Sequence, residues 1–149
     1  MIEYYRHNEA IEKYSNMNWF QQLIVGLPVA NSPMRGDSST GIGQIFARTA
    51  IEAHNSAIAR GDISGQNIDY ANINERKEVW YGLRSDETNI FYAGVVLRHK
   101  AESLGVNLFN ASGSQIEQSL SRYNGSGDAA KEYGIETKQY YDLFLQYNK

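Results

Sequence analysis

The residues best suited to chemistry lie in a stretch of small side chains at positions 38–45. Gly41 and Gly43 permit positive φ angles and a close approach of the backbone to a ligand. Gln44 adds an amide that both donates and accepts hydrogen bonds. Together these groups predict a ligand-binding loop that leads directly into a helix over residues 46–60.

A second loop of similar composition occupies residues 123–127. Tyr123 offers an apolar ring face with a polar tip, and Asn124 offers another amide beside two glycines. Amides and backbone donors of this kind hold sugar hydroxyl and N-acetyl groups. Two plainer interpretations stay open: Tyr123 is in phase with Ile116 and Leu120, as a core residue would be, and Asn124 before a glycine also suits a helix end.

Other kinds of chemistry have little support in the sequence. The chain has no cysteine, which excludes disulfides, thiol catalysis and cysteine-ligated zinc. The three histidines are far apart without paired spacing, so we expect neither a metal site nor a cofactor. The serines at 38 and 39 lack a strand-to-helix nucleophile elbow.

The composition fits one domain over residues 1–149, with 42% hydrophobic and 21% charged residues. The net charge of −3 argues against nucleic-acid binding. We find neither a signal peptide at the start nor an apolar run of roughly 18 residues that would span a membrane. We therefore expect delivery by another machine, or a place in a longer protein.

Hydrophobic periodicity predicts a mainly α domain with almost no strand. The predicted helices cover residues 2–14, 17–27, 46–60 with Gly61 as its cap, 85–104, 114–124 and 137–147. A capping box of Ser114 and Glu117 would begin the fifth, and Ile90, Gly94, Leu97 and Ala101 would line the buried face of the fourth. Residues 62–85 show no clear period and are interpreted as an irregular insertion, with Trp80 and Tyr81 as its anchors.

Three segments in order carry a family resemblance. They are the Ser-Thr-Gly-Ile-Gly-Gln-Ile loop at 39–45, a helix opening with Asn-Ile at 89–97, and the Ser-Arg-Tyr-Asn-Gly-Ser-Gly segment at 121–127. Together they resemble the goose-type lysozyme and soluble lytic transglycosylase superfamily, whose members cleave the MurNAc–GlcNAc β-1,4 bond of peptidoglycan. The resemblance covers most of the chain outside residues 62–85.

The resemblance implies a lysozyme-like α fold and a muramidase or lytic transglycosylase without a cofactor. By analogy, Gln44 would hydrogen-bond the sugar near the scissile bond, and Ser39 would line the same side of the groove. Tyr123 and Asn124 would lie opposite. Peptidoglycan glycan strands would be the partner, and the cell wall or periplasm the place of action.

The acid of that family departs from the pattern here. Glycosidic cleavage needs a carboxylic acid to protonate the departing oxygen. The family places a glutamate at the end of the helix before the glycine loop, but the corresponding positions 26–28 hold Gly-Leu-Pro. Between Glu12 and Glu52 the only carboxylate is Asp37.

Three explanations remain open. Asp37 resembles the aspartate that goose-type lysozymes place ahead of the glycine loop, and Arg35 beside it favours a base or electrostatic role. Glu9 or Glu12 could supply the acid if the helix register differs. Alternatively the acid is lost, with an amide in its place; the candidates are Gln21, Gln22 and Asn31.

A rival hypothesis follows from the missing glutamate. The chain could be a non-catalytic lysozyme-like module that binds glycan or a protein. The enzyme reading fits a phage lysin or a toxin delivered by its parent machine. For a toxin, an inhibitor or immunity protein would be the expected partner.

Overall fold

A computed structural model describes residues 39–147. This part of the chain is mainly helical, which confirms the predicted class. Its five α-helices are α1 Ala47–Arg60, α2 Ile73–Gly82, α3 Asp86–Glu102, α4 Gly113–Asn124 and α5 Asp128–Tyr147. The helices predicted at 2–14 and 17–27 lie outside the described residues, as does Asp37.

A two-residue hairpin precedes the helices. Strand β1, Ser39–Thr40, pairs antiparallel with β2, Ile45–Phe46, so that Ser39 faces Phe46 and Thr40 faces Ile45. Ile45 is buried at 3% exposure, whereas Phe46 is 41% exposed. The hairpin therefore places its turn, residues 41–44, at the edge of the helical body.

Helix α1 forms as the sequence predicts. Alanines and Ile51 make up its buried face, and Gly61 ends it in the left-handed conformation with φ 75°. The backbone N–H of Gly61 caps the helix by donating to the carbonyls of Ala57 and Ile58. Small side chains on this face allow α3 to pack closely against α1.

The irregular insertion predicted at 62–85 is wrong over its second half, where α2 lies. Asn72 begins this helix, because its side chain accepts a hydrogen bond from the backbone N–H of Asn74 at 3.0 Å. Trp80 is the one fully buried residue of α2 and packs against Ala47. With a single buried anchor, the helix leaves no periodic apolar pattern to detect.

Helix α3 begins after Ser85, as predicted, but the predicted buried face is wrong. Ile90 is 61% exposed, whereas Asn89 and Val96 are buried. Tyr92 and Ala93 pack beside Val96 against the core. The core is formed by Ile45, Ala50, Ala53, Leu83 and Val96.

Helices α4 and α5 pack mainly against each other. The capping box at the start of α4 consists of Ser112 and Gln115 rather than Ser114 and Glu117. Helix α5 begins at Asp128, well before the predicted position 137, because Ala130 and Gly134 bury its first turns against α4. No helix within residues 39–147 has both the length and the apolar character needed to cross a membrane.

Candidate functional site

The turn at residues 41–44 has a constrained backbone. The N–H of Gln44 donates to the carbonyl of Gly41 at 3.1 Å, and Gly41 has a φ of 72°. Gln44 itself has a φ of 49°, the only positive φ of a non-glycine residue in the described chain. The Gln44 side chain donates from Nε2 to the same Gly41 carbonyl at 2.9 Å. Its amide is thus held over the turn while staying exposed to solvent.

Asn89 of α3 anchors this turn from below. Its side chain is completely buried, and its Oδ1 accepts a hydrogen bond from the Gly43 N–H at 2.7 Å. Its Nδ2 donates to the carbonyls of Thr40 at 3.0 Å and Leu83 at 2.8 Å. These three bonds use both donors of the amide and satisfy backbone groups of the loop in a site without water access.

The two glycines are required by this anchor. A Cβ at Gly41 would overlap Asn89 Nδ2 and the Leu83 carbonyl. A Cβ at Gly43 would lie 2.8 Å from Asn89 Oδ1 and 3.0 Å from the hydroxyl of Tyr123. The loop is therefore glycine-rich because the backbone must approach Asn89 and Tyr123 closely.

Tyr123 joins the loop to the end of α4. Its hydroxyl donates to the Gly43 carbonyl at 2.9 Å, and its ring packs beside the hydrophobic core. Burial, with a smaller effect of Tyr133, raises the pKa of Tyr123 to about 12. The hydroxyl thus remains a neutral donor through the physiological pH range. Both interpretations of Tyr123 hold at once, because the ring is part of the core and also lines the cavity described next.

A cavity of about 420 Å³ lies between the turn and the end of α4. Residues 42–46 line one side and residues 122–126 line the other, while Thr49, Val96, Lys100 and Tyr133 complete the lining. Its size is in the usual range for pockets that hold small molecules. Ile42, at 51% exposure, and Phe46 add apolar surface to its mouth.

The structure brings three of the predicted site residues together: Gln44, Tyr123 and Asn124 all line this cavity. Ser39 does not line it. Its hydroxyl donates to Gln44 Oε1 at 3.3 Å and so helps to orient the Gln44 amide. Asp37, the predicted catalytic residue, precedes the described part of the chain.

None of the described residues that line this cavity is an aspartate or a glutamate. Glu52 on α1 is the acidic residue nearest in sequence to Thr49 of the lining. It forms an exposed pair with Arg48 instead, with 3.0 Å between Oε1 and Nε. A catalytic acid for this cavity would therefore have to come from residues 1–38.

A second cavity, of about 540 Å³, lies beside α3 and residues 105–109. It does contain a carboxylate, but Glu102 accepts hydrogen bonds from Arg60 at 2.5 Å and from Arg98 at 3.3 Å. Arg98 also pairs with Asp62 at 3.0 Å and lies 5.6 Å from the Phe109 ring centroid. This ion-pair cluster ties the end of α1 to the end of α3.

Histidines take part in hydrogen bonding rather than metal binding in the described residues. His54 lies 3.2 Å from both the Gln66 carbonyl and the Tyr92 hydroxyl. Burial and the neighbouring Lys100 ammonium lower the pKa of His99. Within residues 39–147 no group of three or more His, Cys, Asp or Glu side chains is placed to hold a metal ion.

Sequence reasoning missed three residues of the site. Asn89 entered it only as part of the family resemblance, although its spacing to Ala93 and Val96 puts it on their face of α3. Lys100 and Arg122, which line the cavity, were not considered. Arg122 directly precedes Tyr123, so a basic residue within the second predicted loop was the available signal.

No protein-family model matches this sequence, and neither curated proteins nor solved structures yield a significant match. The helical fold and the cavity are therefore interpreted from their own geometry.

Proposed function

We propose that this chain is a lysozyme-like domain that binds peptidoglycan glycan strands in the cavity between residues 42–46 and 122–126 and cleaves their MurNAc–GlcNAc β-1,4 bonds. The observation that carries the proposal is the convergence of Gln44, Tyr123 and Asn124 on one cavity. These are the residues for which the family resemblance implies sugar contacts.

The polar groups of the cavity suit a saccharide. The amides of Gln44 and Asn124 each provide donors and an acceptor, which matches the mixed hydrogen-bonding character of hydroxyl and N-acetyl groups. The Gln44 amide is oriented in advance by the Gly41 carbonyl and the Ser39 hydroxyl. A ligand then has to order fewer side chains on binding.

The apolar groups suit the faces of sugar rings. Ile42 and Phe46 are exposed at the mouth of the cavity, and the rings of Tyr123 and Tyr133 lie further along the lining. Aromatic side chains combine a large apolar face with a polar edge, as Tyr123 does here. The cavity therefore pairs stacking surface with directional hydrogen bonds.

For catalysis we propose Asp37, which is separated from Ser39 by one residue in the chain. If a glutamate such as Glu9 or Glu12 supplies the acid, Asp37 would position water and the reaction would be hydrolysis. Without a carboxylate to position water, transfer to a 1,6-anhydro product is the expected reaction. A carboxylate pair with different roles is the usual requirement for retaining and inverting hydrolysis.

A non-catalytic glycan-binding module is the second candidate, because the described lining of the cavity holds no carboxylate. In that case the chain would bind glycan strands through the same residues without breaking them.

Incubation of purified sacculi with the protein, followed by mass spectrometry of the soluble fraction, distinguishes the two. The proposal predicts soluble muropeptides, and the mass of their terminal sugars separates hydrolysis from 1,6-anhydro formation. Retention on sacculi without any release would favour the binding module. Neither release nor retention would reject both.

The role of Asp37 is tested in the same assay. Asp37→Asn should abolish release of muropeptides while leaving the melting temperature and sacculus binding unchanged. Full activity of the variant would reject Asp37, and Glu12→Gln would be the next variant to measure.

A further inference from the structure

Two cationic side chains line the cavity from different helices. Lys100 comes from the last turns of α3, and Arg122 comes from the last turn of α4. Cations near helix C-termini are stabilised by the helix dipole, so both positions are compatible with the fold even without an acidic partner.

Neither cation has such a partner. Within residues 39–147 the ion pairs engage other basic residues, namely Arg48, Arg60, Arg98, Lys131 and Lys138. Lys100 and Arg122 form no ion pair with a described carboxylate, and the described lining of the cavity has no acidic residue. The cavity therefore presents positive charge in a chain whose net charge is −3.

This charge is more than a neutral sugar needs. A β-1,4-linked chain of GlcNAc alone carries no ionised group, and hydroxyl and N-acetyl groups are recognised by the amides described above. In peptidoglycan every second sugar is MurNAc, whose lactyl substituent ends in a carboxylate or carries a peptide that itself contains carboxylates. Lysine and arginine bind such groups through charge-assisted hydrogen bonds.

We propose that Lys100 and Arg122 bind a carboxylate of the lactyl or peptide substituent of MurNAc and thereby make the cavity selective for muramyl glycans over chitin-type glycans. This inference rests on the proposed function and adds its substrate specificity. The two residues are specificity-determining residues of the cavity and take no part in bond cleavage.

Binding of four-sugar ligands by calorimetry tests the inference on the full chain. One ligand alternates GlcNAc and MurNAc with free lactyl carboxylates, the second carries stem peptides on MurNAc, and the third is chitotetraose. Mass spectrometry after each titration checks that the ligand is intact. The wild type should bind a muramyl ligand about tenfold more tightly than chitotetraose, since two charge-assisted contacts are gained. The preference should shrink as ionic strength rises.

The double variant Lys100→Gln, Arg122→Gln should lose that preference and keep its affinity for chitotetraose. Lys131→Gln serves as the matched control, because Lys131 pairs with Asp128 on α5 and does not line the cavity. Lys100→Arg should retain the preference. A larger effect of the variants on the lactyl ligand would assign the contact to the lactyl carboxylate, and a larger effect on the peptide-bearing ligand would assign it to the peptide.

The remaining outcomes overturn the inference in distinguishable ways. Equal wild-type affinity for muramyl and chitin ligands, or a preference that survives in the double variant, would reject the selectivity but leave glycan binding intact. Absence of binding to all three ligands would reject the proposed function and the inference with it.

Discussion

The two sides of the cavity are built in opposite ways. The loop wall, residues 39–46, is fixed by the buried Asn89 and has no room for a Cβ at Gly41. The helix-end wall, residues 122–127, is mostly exposed, and a Cβ at Gly125 or Gly127 would meet no atom within 4 Å. One hydrogen bond, from the Tyr123 hydroxyl to the Gly43 carbonyl, joins the two walls at 2.9 Å.

The difference indicates separate tasks for the two walls. A rigid wall holds the Gln44 amide in one position, so its contacts need little ordering on binding. An exposed wall with flexible glycine positions can adjust to the substituents of a sugar. Substitutions in the loop wall should therefore cost stability, whereas substitutions in the helix-end wall should mainly affect ligand binding.

The largest effect is expected at Gly41. Gly41→Ala forces a Cβ against Asn89 and the Leu83 carbonyl at a φ of 72°, and should lower the free energy of unfolding by about 4 kcal/mol. Gly127→Ala, at a φ of 88° with open space around it, should cost only about 1–2 kcal/mol of backbone strain. Urea denaturation of both variants checks this. Equal losses would show that the loop wall is not constrained by packing.

The next effect is expected at Asn89. Asn89→Ala leaves the Gly43 N–H and the carbonyls of Thr40 and Leu83 without their buried partner, and should cost about 3 kcal/mol. Asn124→Ala, the control in the helix-end wall, should stay within about 0.5 kcal/mol of the wild type because its side chain is exposed. A wild-type melting temperature for Asn89→Ala would contradict the anchor.

A smaller effect is expected from the bond that joins the walls. Tyr123→Phe should cost about 1 kcal/mol at neutral pH. Because the folded-state pKa of about 12 lies above the ordinary 10.0, the stabilising contribution of the neutral hydroxyl is complete below pH 10 and is lost as the pH rises towards 12. The wild type should therefore lose its stability advantage over Tyr123→Phe in that window. A difference between them that stays constant with pH would place the Tyr123 hydroxyl in solvent.

The smallest effect on stability is expected at Gln44. Gln44→Ala removes one exposed hydrogen bond to the Gly41 carbonyl and should change the free energy of unfolding by less than about 1 kcal/mol. Glycan binding should nevertheless weaken several-fold, because the oriented amide is lost. A large drop in melting temperature would instead make Gln44 a structural residue of the turn.

Local signals in the sequence predicted the parts of the fold that depend on neighbours in the chain. Helix α1 and its Gly61 cap are of this kind, and so is the start of α3 after Ser85. These features depend on periodicity and end signals that short stretches contain. They lie where the predictions are confirmed.

The remaining features depend on contacts between distant residues. The buried face of α3 could not be predicted, because Asn89 is buried only through bonds to Thr40, Gly43 and Leu83. Helix α2 was missed because Trp80 alone is fully buried in it. For the site, the loop composition pointed to Gln44 and Tyr123, but the cations at Lys100 and Arg122 enter the cavity only through the packing of α3 and α4.

The central claim, that a glycan binds between the two walls, is tested most directly by backbone amide NMR. The alternating GlcNAc–MurNAc tetrasaccharide is titrated into isotope-labelled protein, and amide shifts are followed along the chain. The account predicts the largest shifts in residues 41–46 and 122–126, with residues 105–109 beside the second cavity unchanged as an internal control. Shifts confined to residues 105–109, or no shifts at saturating ligand, would contradict it.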